Sequence, residues 1–289
     1  MRRSSAALAL LALLSLPGCG SDSPQPKPSP SLVEARPYGL KVPAGYSAST
    51  PAPLVLLLHG YSSTGLGQAQ YFGMLPDADQ HGYILAYPDG TIDPGGNRFW
   101  NATDACCNFG GSTVDDVAYL GAVIDDVEAH YTVDPKRVYV VGHSNGGFMA
   151  HRLACDIGQR LAAAVSLAGA TWSDPGRCPA PAPVNVLQIH GDQDQTIFYD
   201  GSSAYPSAER TLAIWAQKNH CAGALEPTPP NLDLDVMIAG DETIAETYGG
   251  CPPGGSVSLW RIVGGGHVPS LGASFADDVW AYLSAHPKP

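Results

Sequence analysis

Short apolar runs recur along the chain, and each is followed by a glycine-rich turn or by a polar stretch. The runs occupy positions 53–58, 83–87, 138–141, 161–167, 184–189 and 256–263. Runs of this length, bounded by turn residues and rich in aliphatic residues, are typical of strands buried on both faces. An additional edge strand is expected at 37–42.

Helical spacing appears between the apolar runs. A capping-box pattern at 113–116 precedes apolar residues at intervals of three to four, namely Val117, Leu120, Ile124, Val127 and Tyr131. Asp134-Pro135 is expected to end this helix. Helices are also expected at 208–218 and 275–285, whereas 91–111 and 221–255 are expected to be loops, the second with a hairpin. Strands alternating with helices predict an α/β fold with a doubly wound, mostly parallel sheet.

The stretch from 137 to 152 combines a strand, a tight glycine turn and a helix. The run at 138–141 leads directly into Gly142-His143-Ser144-Asn145-Gly146, which fits the pattern G-x-S-x-G. A serine in a strained turn between strand and helix stands at the positive end of the helix, where a developing oxyanion is stabilised. This context predicts that Ser144 is a nucleophile; the alternative is a glycine-rich turn with a chance serine.

The expected partners of Ser144 follow it in the order acid, then histidine. His267 comes after the last strand and behind three glycines, so it is the predicted general base. The acid is Asp192 or Asp194. Asp194 is preferred because it lies farther past the end of its strand, and Asp192 is expected to cap the turn. Three other histidines, His59, His143 and His190, are expected to be structural.

Two backbone N–H groups are expected to form an oxyanion hole. One belongs to Asn145, directly after the nucleophile, and the other to Tyr61, in the loop after the strand at 53–58. The Tyr61 ring would then lie at the rim of the site, and Trp172 would form the opposite wall as a second substrate contact. Ordinary packing of single surface aromatics is the alternative for both rings.

Composition favours one large domain. The 289 residues are 44% hydrophobic and 15% charged, which is enough apolar material for one sizeable core. The net charge of −12, without a basic run, argues against nucleic acid and anionic membrane surfaces as partners. The domain is expected to span 36–289. It should lack a cap domain, because the connection 168–183 is short and contains four prolines.

The N-terminus has the pattern of an export signal. Arg2 and Arg3 precede an apolar segment, 6–16, that is too short to span a bilayer. The sequence 16–19 resembles a bacterial lipobox, which implies cleavage after residue 18 and lipid attachment to Cys19. The Pro- and Ser-rich residues 19–35 are expected to be a disordered linker. The alternative is an ordinary secretory signal. Either way, the domain is expected outside the cytoplasm, with a lipid anchor as its only contact with the membrane.

Export makes the cysteines candidates for disulfides. Six remain besides Cys19: Cys106, Cys107, Cys155, Cys178, Cys221 and Cys251. Cys221 and Cys251 flank the loop-rich insert and are expected to be bridged. Cys155 with Cys178 would leave Cys106 and Cys107 as a vicinal pair; the alternative joins each of those two to Cys155 or Cys178. No CxxC or HxxxH spacing favours a metal site, and no cofactor is expected.

The chain resembles the α/β-hydrolase family of polyhydroxybutyrate depolymerases and feruloyl esterases. The resemblance runs from about residue 37 to the C-terminus. The segments that carry it are 58–60, 87–90, 100–101 with Cys106-Cys107, 114–117, 134–139, 142–147, 152–155, 190–194 and 264–267. It implies Ser144, Asp194 and His267 as a catalytic triad. Two positions depart from the family: Val268-Pro269-Ser270 replaces Trp-Pro-Gly after the histidine, and Asn108 replaces a glycine.

These observations predict an exported, monomeric serine ester hydrolase. Its expected substrate is a polymeric ester, either a hydroxyalkanoate polyester or a hydroxycinnamoyl ester on polysaccharide. A serine peptidase of the same fold is one alternative, although such an enzyme usually carries a further N-terminal domain. A non-catalytic cell-surface binding lipoprotein is the other, and a complete triad argues against it because binding alone does not need one.

Overall fold

The computed structural model describes residues 31–289, and the statements below refer to those residues. The predicted signal peptide, Cys19 and most of the predicted linker lie outside the described residues. The last part of that linker is ordered: Leu32–Ala35 form a short helix, α1, with a capping box between Ser31 and Glu34. Arg36 then pairs with the buried Asp116 at 2.7 Å.

A nine-stranded sheet forms the centre of the fold. Its strands, in spatial order, are β1 (Gly39–Lys41), β3 (Ile84–Tyr87), β2 (Ala52–Leu58), β6 (Val133–His143), β7 (Ala163–Leu167), β8 (Asn185–Gly191), β11 (Val257–Ile262), β10 (Thr243–Tyr248) and β9 (Leu225–Pro227). The six strands from β3 to β11 are parallel, and β1, β10 and β9 are antiparallel at the edges. A separate small hairpin consists of β4 (Thr91–Ile92) and β5 (Arg98–Phe99).

Helices cover both faces of the sheet, which confirms the expected α/β-hydrolase architecture. The helices after α1 are α2 (Gly65–Tyr71), α3 (Met74–His81), α4 (Asp116–His130), α5 (Asn145–Ile157), α6 (Ala208–Lys218) and α7 (Phe275–Ala285). Side chains of α4, α5 and α6 share one apolar core with one face of the sheet. Those of α2, α3 and α7 share a second core with the other face. All seven residues of β2 are buried, as its continuous apolar run requires.

Several boundaries differ from the expectation. The helix expected to end at Asp134-Pro135 ends at His130, and β6 already begins at Val133, so that prediction was wrong. The proline is tolerated because β6 pairs with β2 only at residue 133 and then again from residue 138. Helices α2 and α3 were not anticipated. The segment 221–255 contributes two strands that extend the main sheet, beyond the hairpin that its sequence indicates.

The structure contains three disulfides, Cys106–Cys107, Cys155–Cys178 and Cys221–Cys251. The vicinal alternative is therefore the arrangement present. Cys221 follows α6, and Cys251 follows β10 at the edge where β11 begins. No helix between residues 31 and 289 is both long enough and apolar enough to cross a membrane.

Candidate active site

Ser144 lies in the sharp turn between β6 and α5. Its backbone has φ 54° and ψ −119°, a conformation that non-glycine residues rarely adopt. The strain is held by the surrounding structure, since the Ser144 N–H donates to Leu167 O at 2.8 Å. Because Ser144 is the N-cap of α5, its hydroxyl stands at the positive end of that helix.

The two glycines of the G-x-S-x-G pattern are required by close backbone approach. A Cβ on Gly142 would lie 2.1 Å from Gly146 O, and one on Gly146 would lie 2.2 Å from Leu58 O. Neither position has room for a side chain. Glycine is therefore required at both positions, because the backbones of β6, α5 and β2 pass each other in close contact here. The turn places Ser144 just past the end of β6.

The structure brings Ser144, His267 and Asp194 into one hydrogen-bonded line. Ser144 Oγ is 2.9 Å from His267 Nε2, and His267 Nδ1 is 2.7 Å from Asp194 Oδ2. With its proton on Nδ1, His267 donates to the carboxylate and leaves Nε2 to accept the serine proton. This arrangement activates a serine hydroxyl as a nucleophile.

Asp194 is held as an ionised acceptor. Its Oδ1 accepts the backbone N–H groups of Thr196 at 2.7 Å and Ile197 at 2.9 Å, and its Oδ2 faces His267 and His190. Burial opposes ionisation, but the contacts with His190 and His267 and the backbone donors outweigh it, so the pKa of Asp194 is lowered well below its usual range. The carboxylate therefore keeps its charge beside His267.

Asp192 occupies a different place. Its Oδ1 accepts the backbone N–H of Gly264 at 2.8 Å and does not contact His267. Asp192 stabilises the glycine turn that precedes His267, whereas Asp194 contacts the imidazole itself.

His143 supports the same histidine from the other side. Its Nε2 donates to the backbone carbonyl of His267 at 3.0 Å, and its ring packs against Tyr71. Burial lowers the pKa of His143 to about 4, so the ring is neutral at pH 7. The expectation that His143 is structural agrees with this contact, but its attachment to His267 was not foreseen.

The loop after β2 lies directly against the nucleophile. A Cβ on Gly60 would lie 3.4 Å from Ser144 Cβ and 3.3 Å from His143 Nδ1. The backbone N–H groups of Tyr61 and Asn145 have no hydrogen-bond partner within residues 31–289. They are therefore available as the two oxyanion donors that the sequence predicts.

Asn145 also has a role that the sequence did not reveal. Its buried side chain accepts from Trp100 N at 2.6 Å and donates to Trp100 O at 3.0 Å. The Trp100 indole donates in turn to His59 O at 3.0 Å. The start of α5 is thus fixed to the segment after β5 and, through Trp100, to the loop after β2. Contacts of this kind depend on tertiary structure and have no local sequence signature.

A cavity of about 330 Å³ opens beside Ser144 and His267. Its walls are Gly60, Tyr61, Ser63, Gly67, Gln68, Tyr71, His143 and Val268. Tyr61 is one of these walls, with its hydroxyl donating to Asp93 Oδ2 at 2.6 Å and its ring edge-to-face with Phe109 at 5.3 Å. Tyr71 belongs to the unanticipated helix α2.

Trp172 does not line this cavity, in contrast to the expected opposite wall. Its side chain is buried, and the guanidinium of Arg177 lies 3.9 Å from the ring centroid. Arg152 approaches the same ring at 5.4 Å. These cation–π contacts cover the ring, so Trp172 is a packing residue beside α5. The sequence around a single aromatic after a strand does not show whether its ring lines a cavity or packs in the interior.

Comparison with known proteins identifies similar chains. The family model described as esterase PHB depolymerase matches residues 36–194, more than half of the chain. Feruloyl esterase C of Emericella nidulans is 30% identical over 279 residues, covering 93% of this chain and 91% of its own length. Feruloyl esterase B of Piromyces equi is 27% identical over 241 residues, covering 79% of this chain and 42% of its own length. The chain spans less than half the length of several curated relatives that it matches.

Similar solved structures support the fold. The acetyl xylan esterase from Aspergillus awamori superposes with a TM-score of 0.61 at 17% identity, covering 85% of this chain and 92% of that one. At this level of identity the likeness concerns the fold alone.

Proposed function

The chain belongs to the esterase family of PHB depolymerases, and from that premise we propose that it is an exported serine ester hydrolase. The observation that carries the proposal is the line of hydrogen bonds from Ser144 through His267 to Asp194. In the proposed reaction, Ser144 attacks the ester carbonyl while His267 takes its proton. His267 then protonates the leaving alcohol, and water hydrolyses the acyl-enzyme by the same steps in reverse.

The electrostatics of the site support this sequence of steps. The ionised Asp194 stabilises the imidazolium that forms on His267 in each transition state. The N–H groups of Tyr61 and Asn145 and the N-terminus of α5 stabilise the oxyanion. None of these steps requires a metal or a cofactor.

The proposed substrate is an ester whose acyl or alcohol part is bulky, either a polyhydroxybutyrate-type polyester or a hydroxycinnamoyl ester on polysaccharide. The cavity has aromatic walls at Tyr61 and Tyr71, and the exposed ring of Phe109 packs edge-to-face against Tyr61. Apolar and aromatic surface around a small polar centre suits an extended or aromatic ester group.

Ser144→Ala tests the mechanism. It should fold normally and lose roughly 10⁴–10⁶-fold in the hydrolysis of p-nitrophenyl acetate, because no other group replaces the nucleophile. The wild type should be labelled by a fluorophosphonate probe at Ser144 and the variant should not. Equal activity of the two proteins, or labelling at another serine, would refute the serine mechanism.

A substrate panel separates the two ester classes. The wild type would be given p-nitrophenyl esters of increasing acyl length, methyl ferulate, and a polyhydroxybutyrate suspension, with Ser144→Ala as the blank. Release of ferulate alone would assign the hydroxycinnamoyl class, and clearing of the polyester alone would assign the other. Hydrolysis of peptide amides in place of esters would favour the peptidase alternative.

Export and lipid attachment at Cys19 belong to the same proposal. Their support is the pattern of residues 2–19 and the presence of three disulfides in the domain, which are typical of exported proteins. Cys19→Ser should release the domain from the membrane fraction of a bacterial host and abolish incorporation of labelled fatty acid. Fatty acid that still appears in the variant would exclude Cys19 as the site.

A further inference from the structure

A chain of buried polar side chains runs from the acid of the site into the protein interior. Its members are Asp194, His190, Gln188, His151 and Trp215, each no more than 2% exposed. They come from α6, α5, β8 and the loop after β8. The proposed mechanism uses only Asp194, so the other four side chains need an explanation.

The donors and acceptors along this row of side chains allow only one set of proton positions. The Trp215 indole can only donate, and it lies 3.0 Å from His151 Nδ1. His151 therefore carries its proton on Nε2 and donates to Gln188 Oε1 at 2.9 Å. Gln188 Nε2 donates to Gly169 O at 2.9 Å and to His190 Nδ1 at 3.1 Å.

The hydrogen bonds on both sides of Gln188 require the same orientation of its side-chain amide. Trp215 requires its oxygen to face His151, and the carbonyl of Gly169, which can only accept, requires its nitrogen on the other side. The amide cannot turn over without placing two acceptors or two donors against each other. As a consequence, His190 Nδ1 is an acceptor, and the proton of the neutral ring is on Nε2.

His190 donates that proton to a backbone carbonyl beside the acid. Its Nε2 donates to Ile197 O at 2.8 Å and lies 3.3 Å from Asp194 Oδ2, the oxygen that His267 also contacts. The other charged or titratable groups near this pair are Tyr199, whose ring is edge-to-face with His190, and Arg261, which pairs with His190 in the sheet register. His143 faces His267 from the opposite side.

We propose that His190 is a positioning residue for the reaction, held by Gln188, His151 and Trp215 with its Nε2–H beside Asp194. The N–H dipole, 3.3 Å from Oδ2, offsets part of the carboxylate charge and helps to fix the oxygen that orients His267. This proposal rests on the serine mechanism proposed above. His190 does not line the cavity beside Ser144, so it should affect the chemical step and not the binding of a small ester.

The direction of the effect follows from charge. Without the His190 N–H, the full negative charge of Asp194 Oδ2 faces His267 and stabilises the imidazolium already in the free enzyme. A larger fraction of the enzyme then has a protonated His267, which cannot accept the serine proton. In His190→Phe, the acid limb of the kcat/KM profile for p-nitrophenyl acetate should move up by about half a pH unit. Because Asp194 is also held less firmly and orients His267 less well, kcat should fall by roughly tenfold at unchanged KM.

Two further variants separate positioning from simple packing. In His190→Gln, the side-chain amide keeps an N–H near the position of Nε2, so the acid limb should return toward the wild-type position. His286→Phe, at a partly buried histidine on the C-terminal side of α7, is the matched control and should leave the profile unchanged. Gln188→Leu should move the limb in the wild type but not in the His190→Phe background.

The outcomes are distinguishable. An acid limb that stays in place in folded His190→Phe, with only a lower melting temperature, would overturn the proposal. If that variant does not fold, Gln188→Leu is compared with His190→Gln. An acid limb at the wild-type position in both of these variants would also overturn the proposal. A wild type without Ser144-dependent turnover would instead refute the serine mechanism itself.

Discussion

At the residue scale, two carboxylates of one short loop have different tasks. Asp194 contacts the imidazole of His267, whereas Asp192 accepts the Gly264 N–H in the turn that carries it. An amide in place of Asp194 can present its NH₂ to His267 and favour the wrong tautomer. An amide in place of Asp192 still has an oxygen for the Gly264 N–H.

We therefore expect unequal losses from the two Asp→Asn variants. Asp194→Asn should lower kcat by roughly 10³–10⁴-fold. Asp192→Asn should lower it by less than about tenfold, because the amide oxygen can still accept the Gly264 N–H. Steady-state hydrolysis of p-nitrophenyl acetate measures both. If Asp192→Asn is the inactive variant, the assignment of the acid is wrong.

Single residues could be predicted where backbone geometry restricts the residue type. Ser144 was recognisable because the glycines around it are sterically required, and His267 because it stands behind a glycine run after the last strand. The attachments of His143 and His190 to the site were not recognisable. His143 contacts His267, 124 positions away, and nothing local marks which polar groups a fold will bring together. His190 lies only four positions before Asp194, but this spacing does not show that the turn brings the two side chains together.

At the element scale, apolar runs predicted β1 and the six parallel strands, and helical spacing predicted three of the long helices. Helices α6 and α7 have the predicted bounds, 208–218 and 275–285. Helix α2 was missed because its residues, GLGQAQY, include two glycines and no apolar period. Its stability comes from tertiary packing of Ala69 against the sheet, together with the Thr64 cap, and Tyr71 of this helix reaches the cavity.

The Cys221–Cys251 bridge joins the end of α6 to the end of β10. That edge of the sheet is where β11 begins, and His267 follows the opposite end of β11. The bridge therefore lies away from the turn that presents His267. Its effect should be on global stability.

Replacing both cysteines with alanine should lower the free energy of unfolding by roughly 3–4 kcal/mol, since the bridge closes a loop with a sequence separation of 30. The kcat on a short ester should be unchanged at a temperature where the variant is folded. Urea denaturation and steady-state kinetics measure the two quantities. A large loss of kcat with unchanged stability would contradict the separation of this bridge from the site.

At the scale of the whole molecule, buried histidines couple stability to pH. Burial lowers the pKa of His143 and of His151 to about 4, whereas an unfolded histidine titrates near 6.5. Between these values the unfolded chain binds more protons than the folded one. Stability should therefore rise with pH across this window and be lost as the pH falls.

The expected loss between pH 6.5 and pH 5 is about 1.6 kcal/mol for each of the two histidines. Urea unfolding at several pH values measures the slope. His151→Gln is the control, because it removes one of the two titrating rings and should make the dependence shallower. A free energy of unfolding that is constant from pH 7 to pH 5 would contradict the neutral, buried state of both rings.

The arrangement of the connections also decides how substrate reaches Ser144. In many hydrolases a helical lid is inserted between the strand after the nucleophile and the strand that leads to the acid. Here residues 168–184 join β7 to β8 with only a 3-10 turn at Pro175–Arg177, and the segment is tied to α5 by the Cys155–Cys178 bridge. Within residues 31–289, nothing in this connection can fold over the cavity as a helical cap.

An uncovered site should need no interface to open it. We expect short-chain p-nitrophenyl esters to be hydrolysed in simple solution with hyperbolic kinetics. Long acyl chains should be poor substrates, because within residues 31–289 the connection between β7 and β8 has no apolar cap to bury them. Rates would be measured with p-nitrophenyl esters from acetate to palmitate, below and above their critical micelle concentrations, with Ser144→Ala as the blank. A sharp rise in rate above the critical micelle concentration of a long-chain ester would show that a closed site opens at interfaces, contrary to this reading of the connection between β7 and β8.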